Sequence, residues 1–506
     1  PISLALEPTT LSLRAEDVPG LDDTVVRQVI EDNPLAEGCE ETVMYPVIRA
    51  RIRQAMETAL KTIDEGERAE FYLYRENEKT WLNPYTRFRA LMEWNEQSPV
   101  WTEWPESQRT PESVDGWLAG LDADERQAFY YWMEYFAFCQ WVLHRQWEDV
   151  RNFAEANKVD LMGDIPFGVS RYSADVWAHP DWFELRWSGG APPEPMFQDD
   201  VFVKRWGQNW GIPPYNWDSM AESGFQWWRQ RVHGVARYFH CFRIDHILGF
   251  YRLYCFPWLP WENDRFAEME KEEVMAQAGA LPRFFPESDE TPEGEKINHQ
   301  HGEKLLQVVL EAAGDSVVVG EDLGMVPDYV RPSLQKLGIS GFKIPVFEKE
   351  DESGEYKSFD TYAPLSVTTL STHDHMPIRS MWEEWLEAFR DKESQGLDEA
   401  GQREKEEKSW ELYRTQRFLG LPDDQPFEAF EPAVREAWLE KMLESPSWLA
   451  IAMITDLYGL TVRFNVPGPI SESNWSRRLP CTIADMNSAN LAGIGRWFAE
   501  KIHKSN

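Results

Sequence analysis

Three short apolar runs of this sequence finish in carboxylates: Phe242-Arg243-Ile244-Asp245-His246, Ser316-Val317-Val318-Val319-Gly320-Glu321-Asp322 and Val367-Thr368-Thr369-Leu370-Ser371-Thr372-His373-Asp374. Each acid has a polar companion: Arg243 and His246 beside Asp245, Asp322 beside Glu321, His373 beside Asp374. One acid in such a place serves equally well as a helix cap or an ion-pair partner. Three in like settings point to a shared pocket instead. Convergent carboxylates suit glycosyl transfer, because that reaction divides acid–base labour between two of them. One carboxyl must stay protonated to give a proton to the departing sugar oxygen, and another must stay ionised to attack the anomeric carbon. An arginine such as Arg243 favours the ionised form of the acid beside it. His246 and His373 can bond sugar hydroxyls, and would equally serve as structural residues.

The elements that must position these groups begin near residue 159, where the texture of the chain changes. Further short runs of the same kind are Val159-Asp160-Leu161-Met162-Gly163-Asp164-Ile165, Ser340-Gly341-Phe342-Lys343-Ile344-Pro345-Val346 and Thr461-Val462-Arg463-Phe464-Asn465. Runs of this length read as buried parallel strands. Helical patterns lie between them, at 224–239 and 301–313, so the alternation predicts a parallel sheet, open or closed into a barrel. In a barrel the carboxyl ends of the strands form the active face. The first 150 residues read as mostly helical, with apolar residues at helical spacing over 44–63 and an aromatic-rich helical stretch over 122–157. Residues 282–298 and 391–408 read as surface insertions.

The chain has 506 residues, with 51 Lys+Arg against 87 Asp+Glu, a net charge of −36. That balance argues against nucleic acid or an anionic membrane as partner. No stretch approaches the roughly 20 apolar residues of a membrane span. No leader is read at Pro1-Ile2-Ser3-Leu4, and the five cysteines form neither a CxxC pair nor a disulfide framework, which fits a cytoplasmic setting. Aromatic residues are plentiful, at 25 Trp, 17 Tyr and 27 Phe. Most would fill a core, and some could line a groove for flat-faced sugar rings.

Seven segments carry a resemblance. Gly163-Asp164-Ile165-Pro166, Ser173-Ala174-Asp175-Val176-Trp177, Gly207-Gln208-Asn209-Trp210-Gly211, Arg243-Ile244-Asp245-His246, Gly320-Glu321-Asp322-Leu323-Gly324, Thr372-His373-Asp374 and Arg463-Phe464-Asn465-Val466-Pro467-Gly468 occur in this order. Together they resemble the motifs of the 4-α-glucanotransferases, the amylomaltase or disproportionating-enzyme family of the α-amylase clan. Residues 207–218 and 243–251 look closer to the plant cytosolic disproportionating enzyme than to short bacterial amylomaltases. The resemblance implies an α/β fold, a (β/α)8 TIM-like barrel with largely helical insertions. Residues 1–150 would be a mostly helical part inserted in or flanking the barrel, and 151–506 the catalytic barrel.

It implies retaining transfer of α-1,4-glucan units from a maltooligosaccharide donor to the 4-hydroxyl of an acceptor glucan, through a covalent glycosyl-enzyme. Asp245 matches the nucleophile, Glu321 the general acid/base, and Asp374 the acid that stabilises the transition state through sugar hydroxyls. Arg243, His246 and His373 match residues around the sugar being cleaved. Gln208 and Trp210 match a substrate-lining loop, Asn465 a polar group ending the last strand, and Asp164 an acid ending the third. No metal or organic cofactor is called for. Two departures stand out. The chain begins after the place where the family has its first strand and a Ser-Pro-Tyr loop, so that strand is expected to be absent or truncated here. Glu194 stands after Pro192-Pro193, where the family has an aspartate, which bears on acceptor contacts. Two alternatives share these residues: a retaining α-amylase-like hydrolase, and a non-catalytic glucan-binding protein.

Overall fold

The computed structural model describes residues 5–36, 38, 41–193, 200–350, 353–391, 399–467, 471–486 and 489–505. Glu194 therefore lies outside the described residues, as do part of the 391–408 stretch and Gly468. The chain packs as two units, Pro1–Leu35 with Tyr45–Leu337, and Ala36–Met44 with Gly338–Asn506. Ten strands are described: β1 (Met162–Pro166), β2 (Ser188–Ala191), β3 (Gln208–Ile212), β4 (Cys241–Asp245), β5 (Leu253–Phe256), β6 (Arg283–Phe285), β7 (Val317–Gly320), β8 (Gly341–Lys343), β9 (Ser366–Thr369) and β10 (Leu449–Ile451).

In the first unit the helical region is built as its sequence dictates. Helices run over Tyr45–Thr62, Glu65–Asn77, Lys79–Trp94 and Ala123–Ala156. The last starts where Asp122 and Glu125 form a reciprocal capping box, satisfying two main-chain N–H groups that a helix start leaves over. Its residues 135–144 are buried on every side, which is why they are nearly all apolar or aromatic without a polar stripe; buried Gln140 pairs with the main chain of Leu6. Phe138 meets Phe71 edge-on at 5.5 Å.

The strand-bearing part follows directly. Strands β1, β4 and β7 form a parallel sheet in the order β1-β4-β7. Helices Gln226–Ala236 and Pro292–Ala313 precede β4 and β7, the crossovers that parallel pairing demands. Phe242 and Ile244 of β4 are fully buried. A second sheet, antiparallel in the order β3-β2-β5-β6, adds short strands to insertions expected to be largely helical. Residues 282–298, expected to be a surface insertion, do lie mostly at the surface, and they carry β6 and the start of the Pro292–Ala313 helix, with Gly294 and Asn298 buried. Two glycines make the β2–β3 contact feasible. A Cβ on Gly190 would stand 1.9 Å from the Gln208 carbonyl oxygen, and Gly207, at φ +96°, would place one 2.1 Å from the Ala191 oxygen.

The packing boundary falls at Leu337/Gly338, so residues 45–150 share a unit with strands β1 to β7. Buried polar contacts explain why helices and strands share a unit. Trp101 Nε1 donates to the Arg171 carbonyl (3.0 Å), Trp177 Nε1 to the Gln108 carbonyl (3.1 Å), and His144 Nδ1 bonds the Tyr238 hydroxyl at 2.8 Å.

In the second unit β8, β9 and β10 form another parallel sheet, ordered β10-β9-β8. Helices Ile378–Arg390, Glu399–Phe418 and Pro432–Leu443 supply a core around the buried Trp382, Leu412, Trp438 and Met442. The expected strand at 461–465 is irregular backbone. The described ladders thus hold six parallel strands, three in each unit. Four described cysteines, Cys139, Cys241, Cys255 and Cys481, are free.

The β2–β3 contact yields a test. Gly190→Ala drives a methyl into backbone that cannot step aside, so it is expected to destabilise the protein by roughly 1–3 kcal/mol and lower its melting temperature. An unchanged melting temperature would show that β3 is not seated on β2 as described.

Candidate active site

Side chains alternate along a strand, so residues two apart share a face. Arg243 and Asp245 therefore share one face of β4. Register pairs Asp164 with Arg243, and Arg243 with Val319; Glu321, two beyond Val319, continues on that same face. The ladder runs on past β7, with Glu321 N–H donating to the Ile244 carbonyl at 2.9 Å. Parallel pairing alone gathers Asp164, Arg243, Asp245 and Glu321.

Arg243 is the hub. Its side chain is 8% exposed, so its charge needs partners inside the protein. Nε and Nη2 donate to the two carboxylate oxygens of Asp164, both at 2.9 Å, and Nη2 also reaches Asp245 Oδ1 at 2.9 Å. The carboxylates raise the guanidinium pKa further. Asp164 thus orients Arg243, and Arg243 holds Asp245.

Glu321 sits differently. Its oxygens accept main-chain N–H groups, of His246 at 2.9 Å and of Leu323 at 3.0 Å. Burial, followed by the charge of Asp245, pushes its pKa up to about 7, against the opposing influence of Arg243 and the two N–H donors. A carboxyl whose pKa is raised to about 7 thus stands beside one that is bound to a guanidinium, the division of environments that a paired-acid site requires. Asp322 is separated from this work: it is 2% exposed and accepts from Arg331 Nε at 3.0 Å.

His246 has left-handed backbone, φ 49°, uncommon for a residue with a side chain; its own N–H donates to the Glu321 carboxylate, and the N–H of the next residue, Ile247, donates to the Glu321 carbonyl at 3.1 Å. Burial, with the Arg252 cation behind it, lowers its imidazole to about 4, so the ring is neutral at pH 7. It meets Trp210 edge-on at 4.8 Å. Trp210 is 37% exposed, which removes it from the core, and its Nε1 donates to Gln208 Oε1 at 3.3 Å. The Ser173–Trp177 motif is structural instead: Ser173 caps the helix Ala174–Ala178, and buried Asp175 accepts from Trp227 Nε1 at 2.8 Å.

In the second unit the acid-bearing turn after β9 is held by its own network. Asn465 Nδ2 donates to Asp374 Oδ1 at 2.6 Å, and His373 Nε2 lies 3.2 Å from Asp374 Oδ2. Arg463 Nη2 donates to the Asp374 carbonyl (2.9 Å) and Nε to the Asn465 carbonyl (3.0 Å). Trp475, 53% exposed, lies 5.0 Å from the His373 ring. Sequence reasoning missed Arg463 as a site residue, although it opens the motif that ends in Val466-Pro467-Gly468. It also missed Trp475 and the fully buried Asp456, whose carboxyl burial raises to about 6. Among the described residues no cluster of three or more metal-ligating side chains occurs, and no helix is long and apolar enough to cross a membrane.

Parallel strands with carboxylates at their carboxyl ends, one with a raised pKa and one bound to arginine, are an arrangement suited to carbohydrate chemistry through paired acids. A family model described as 4-alpha-glucanotransferase matches residues 3–483. The chain belongs to the 4-alpha-glucanotransferase family, glycosyltransferases that move glucan segments between α-1,4-glucans. It is 28% identical over 500 residues to the 4-alpha-glucanotransferase of Chlamydia pneumoniae, covering 96% of this chain and 81% of that one. A rice relative, Oryza sativa subsp. japonica, is 26% identical over 511 residues, covering 77% of this chain and 50% of its own, so whole-chain identity does not set the plant enzyme apart. An amylomaltase from Streptococcus agalactiae, solved with acarbose, superposes at a TM-score of 0.71 with 21% identity, covering 100% of this chain and 88% of that one. The chain therefore has the amylomaltase fold.

The Glu321 environment makes a prediction whose sign is fixed. Asp245→Asn removes a neighbouring negative charge and leaves Arg243, so the Glu321 pKa should fall below 7 by roughly one pH unit. Carbon-13 NMR titration of the glutamate side chains would read this. An unmoved titration would mean that the two carboxyls do not act on one another.

Proposed function

We propose that the chain disproportionates maltooligosaccharides, with Asp245 attacking the anomeric carbon of the donor while Glu321 protonates the departing sugar oxygen. This leaves a glycosyl-enzyme at Asp245; Glu321, now ionised, takes the proton from the 4-hydroxyl of an acceptor glucan as that oxygen bonds the anomeric carbon and the bond to Asp245 breaks, freeing the carboxylate. The observation that carries this reading is the raised carboxyl of Glu321, near 7, beside an Asp245 held by Arg243. Asp374 is assigned, from its motif, the stabilisation of the oxocarbenium-like transition state through sugar hydroxyls. His246, neutral at pH 7, and His373 are assigned contacts to the sugar from their motifs, and Trp210 with Gln208 gives it a platform. Asp164 and Asn465 orient Arg243 and Asp374. These steps use only side chains and two glucans, and no metal or organic cofactor enters them.

The likeness in fold to amylomaltases supports a (β/α)8 barrel in residues 151–506, with 1–150 inserted in or flanking it. Free cysteines suit a cytoplasmic setting. The acidic composition suits a neutral partner, an α-glucan, over nucleic acid or membrane.

A product ladder from maltotriose tests the reaction. Glucose together with a series of longer maltooligosaccharides is expected; glucose and maltose with nothing longer would make the chain a hydrolase. Asp245→Asn and Glu321→Gln should abolish the ladder with little change in melting temperature, and normal turnover in either would remove that residue from the mechanism. Trp210→Ala should raise KM about fivefold, the scale of one aromatic contact near 1 kcal/mol, without melting the protein. A KM unchanged in this variant would exclude the indole as a platform.

A further inference from the structure

The turn between β9 and the helix Ile378–Arg390 carries His373 and Asp374, and both of its ends are tied to one carboxyl. Ser371 Oγ donates to Asp456 Oδ2 at 2.6 Å, and the Ile378 N–H donates to Asp456 Oδ1 at 2.9 Å. Asp456 is fully buried, and Ser371 and Ile378 are 2% and 3% exposed. A buried carboxyl is costly to retain, and neither bond it makes serves its own helix, Ile454–Tyr458. Inside the turn the remaining groups are fixed locally. Thr369 Oγ1 donates to the Ser371 carbonyl at 2.7 Å, and Thr372 Oγ1 accepts the Asp374 N–H at 3.3 Å and meets His375 Nδ1 at 2.7 Å. Arg463 holds the Asp374 carbonyl from the other side.

We propose that Asp456 is a positioning residue for glucan transfer: by bonding Ser371 and Ile378 together it sets the turn on which Asp374 is presented. This rests on the reading of Asp374 as a functional carboxylate. Asp456 acts through the turn and touches neither sugar nor reacting atoms. Its removal lets both ends of the turn drift, and misplacement on the order of 1 Å can cost about 100-fold in rate.

The test compares Asp456→Ala, Asp456→Asn, Asp374→Asn and the double variant Asp374→Asn/Asp456→Ala in the full chain. Each is measured for maltotriose kcat and KM, melting temperature, and calorimetric affinity for acarbose, a probe that needs no turnover. Asp456→Ala should lower kcat about 100-fold with KM within about twofold. Asp456→Asn keeps an acceptor for the Ile378 N–H and a polar partner for Ser371, and should recover kcat to within roughly threefold of the unmodified chain. Asp374→Asn and Asp456→Ala should each weaken acarbose, while the double variant binds no more than about twofold worse than Asp374→Asn alone. Losses that multiply in the double variant, or an unchanged kcat in Asp456→Ala, would overturn the inference. Should Asp456→Ala fail to fold, Ser371→Ala replaces it in both comparisons, with kcat expected to fall roughly fivefold for one lost bond. If Asp374→Asn itself leaves turnover and acarbose binding unchanged, the reading of Asp374 fails, an outcome distinct from the failure of the Asp456 inference.

Discussion

A single guanidinium organises the first unit's site. Arg243 lies in the middle strand of a parallel sheet, nearly closed off from water, and a buried cation is tolerated only with partners. Asp164, on the adjoining strand, and Asp245, on its own strand, supply them. This fixes more than charge. The bidentate Asp164 contact sets the direction of the Arg243 fork, and Nη2 then reaches one oxygen of Asp245 as well. A lysine could neutralise the same acids, but its single point of charge would not fix that fork.

From this one constraint the two proposed acid/base residues diverge. Asp245 is half exposed and touches the guanidinium directly. Glu321 accepts from main-chain N–H donors and is buried, so its proton is held to about 7. The left-handed backbone at His246 accompanies this arrangement, where the next N–H, of Ile247, meets the Glu321 carbonyl. Strain of this kind persists where the surroundings over-determine it. The second unit meets its problem by other means: its acid-bearing turn is gripped through main-chain carbonyls by Arg463 and through its ends by Asp456.

What could be read from the sequence follows the same physics. Strands β1, β4 and β7, with Asp164, Asp245 and Glu321 on or just beyond them, were legible because a short apolar run ending in a charge suits a buried strand better than any other element. The long helix over 123–156 was legible from its aromatic spacing. The antiparallel sheet was not, since β2 is Ser188-Gly189-Gly190-Ala191, with no alternation to betray a strand. Segment 461–465 resembles a strand in composition, yet Arg463 spends its donors on the carbonyls of Asn465 and Asp374. The helix beginning at Pro292 had a start signal, Thr291 as cap and proline at the first position, that was outweighed by the local Pro and Glu content. Asp456 was silent because its partners lie 85 and 78 positions away in sequence. Whether a lone acid is buried and doubly bonded is a property of tertiary packing alone.

The electrostatics also narrow the ligand. A chain of net charge −36 offers nothing to an anion unless a local cation is unspent, and here the charge of Arg243 is met by two carboxylates. His246, held near 4, adds no positive charge at neutral pH. What remains for a ligand is an exposed indole at Trp210, a neutral imidazole, and carboxyl oxygens able to accept hydroxyl protons. Those groups reward an uncharged molecule with an apolar face and many hydroxyls. Affinity must then come from many modest contacts spread along the ligand, and this suits a chain of sugars better than a single one. The charge balance of the whole chain and the hydrogen bonds of one arginine lead independently to the same substrate class.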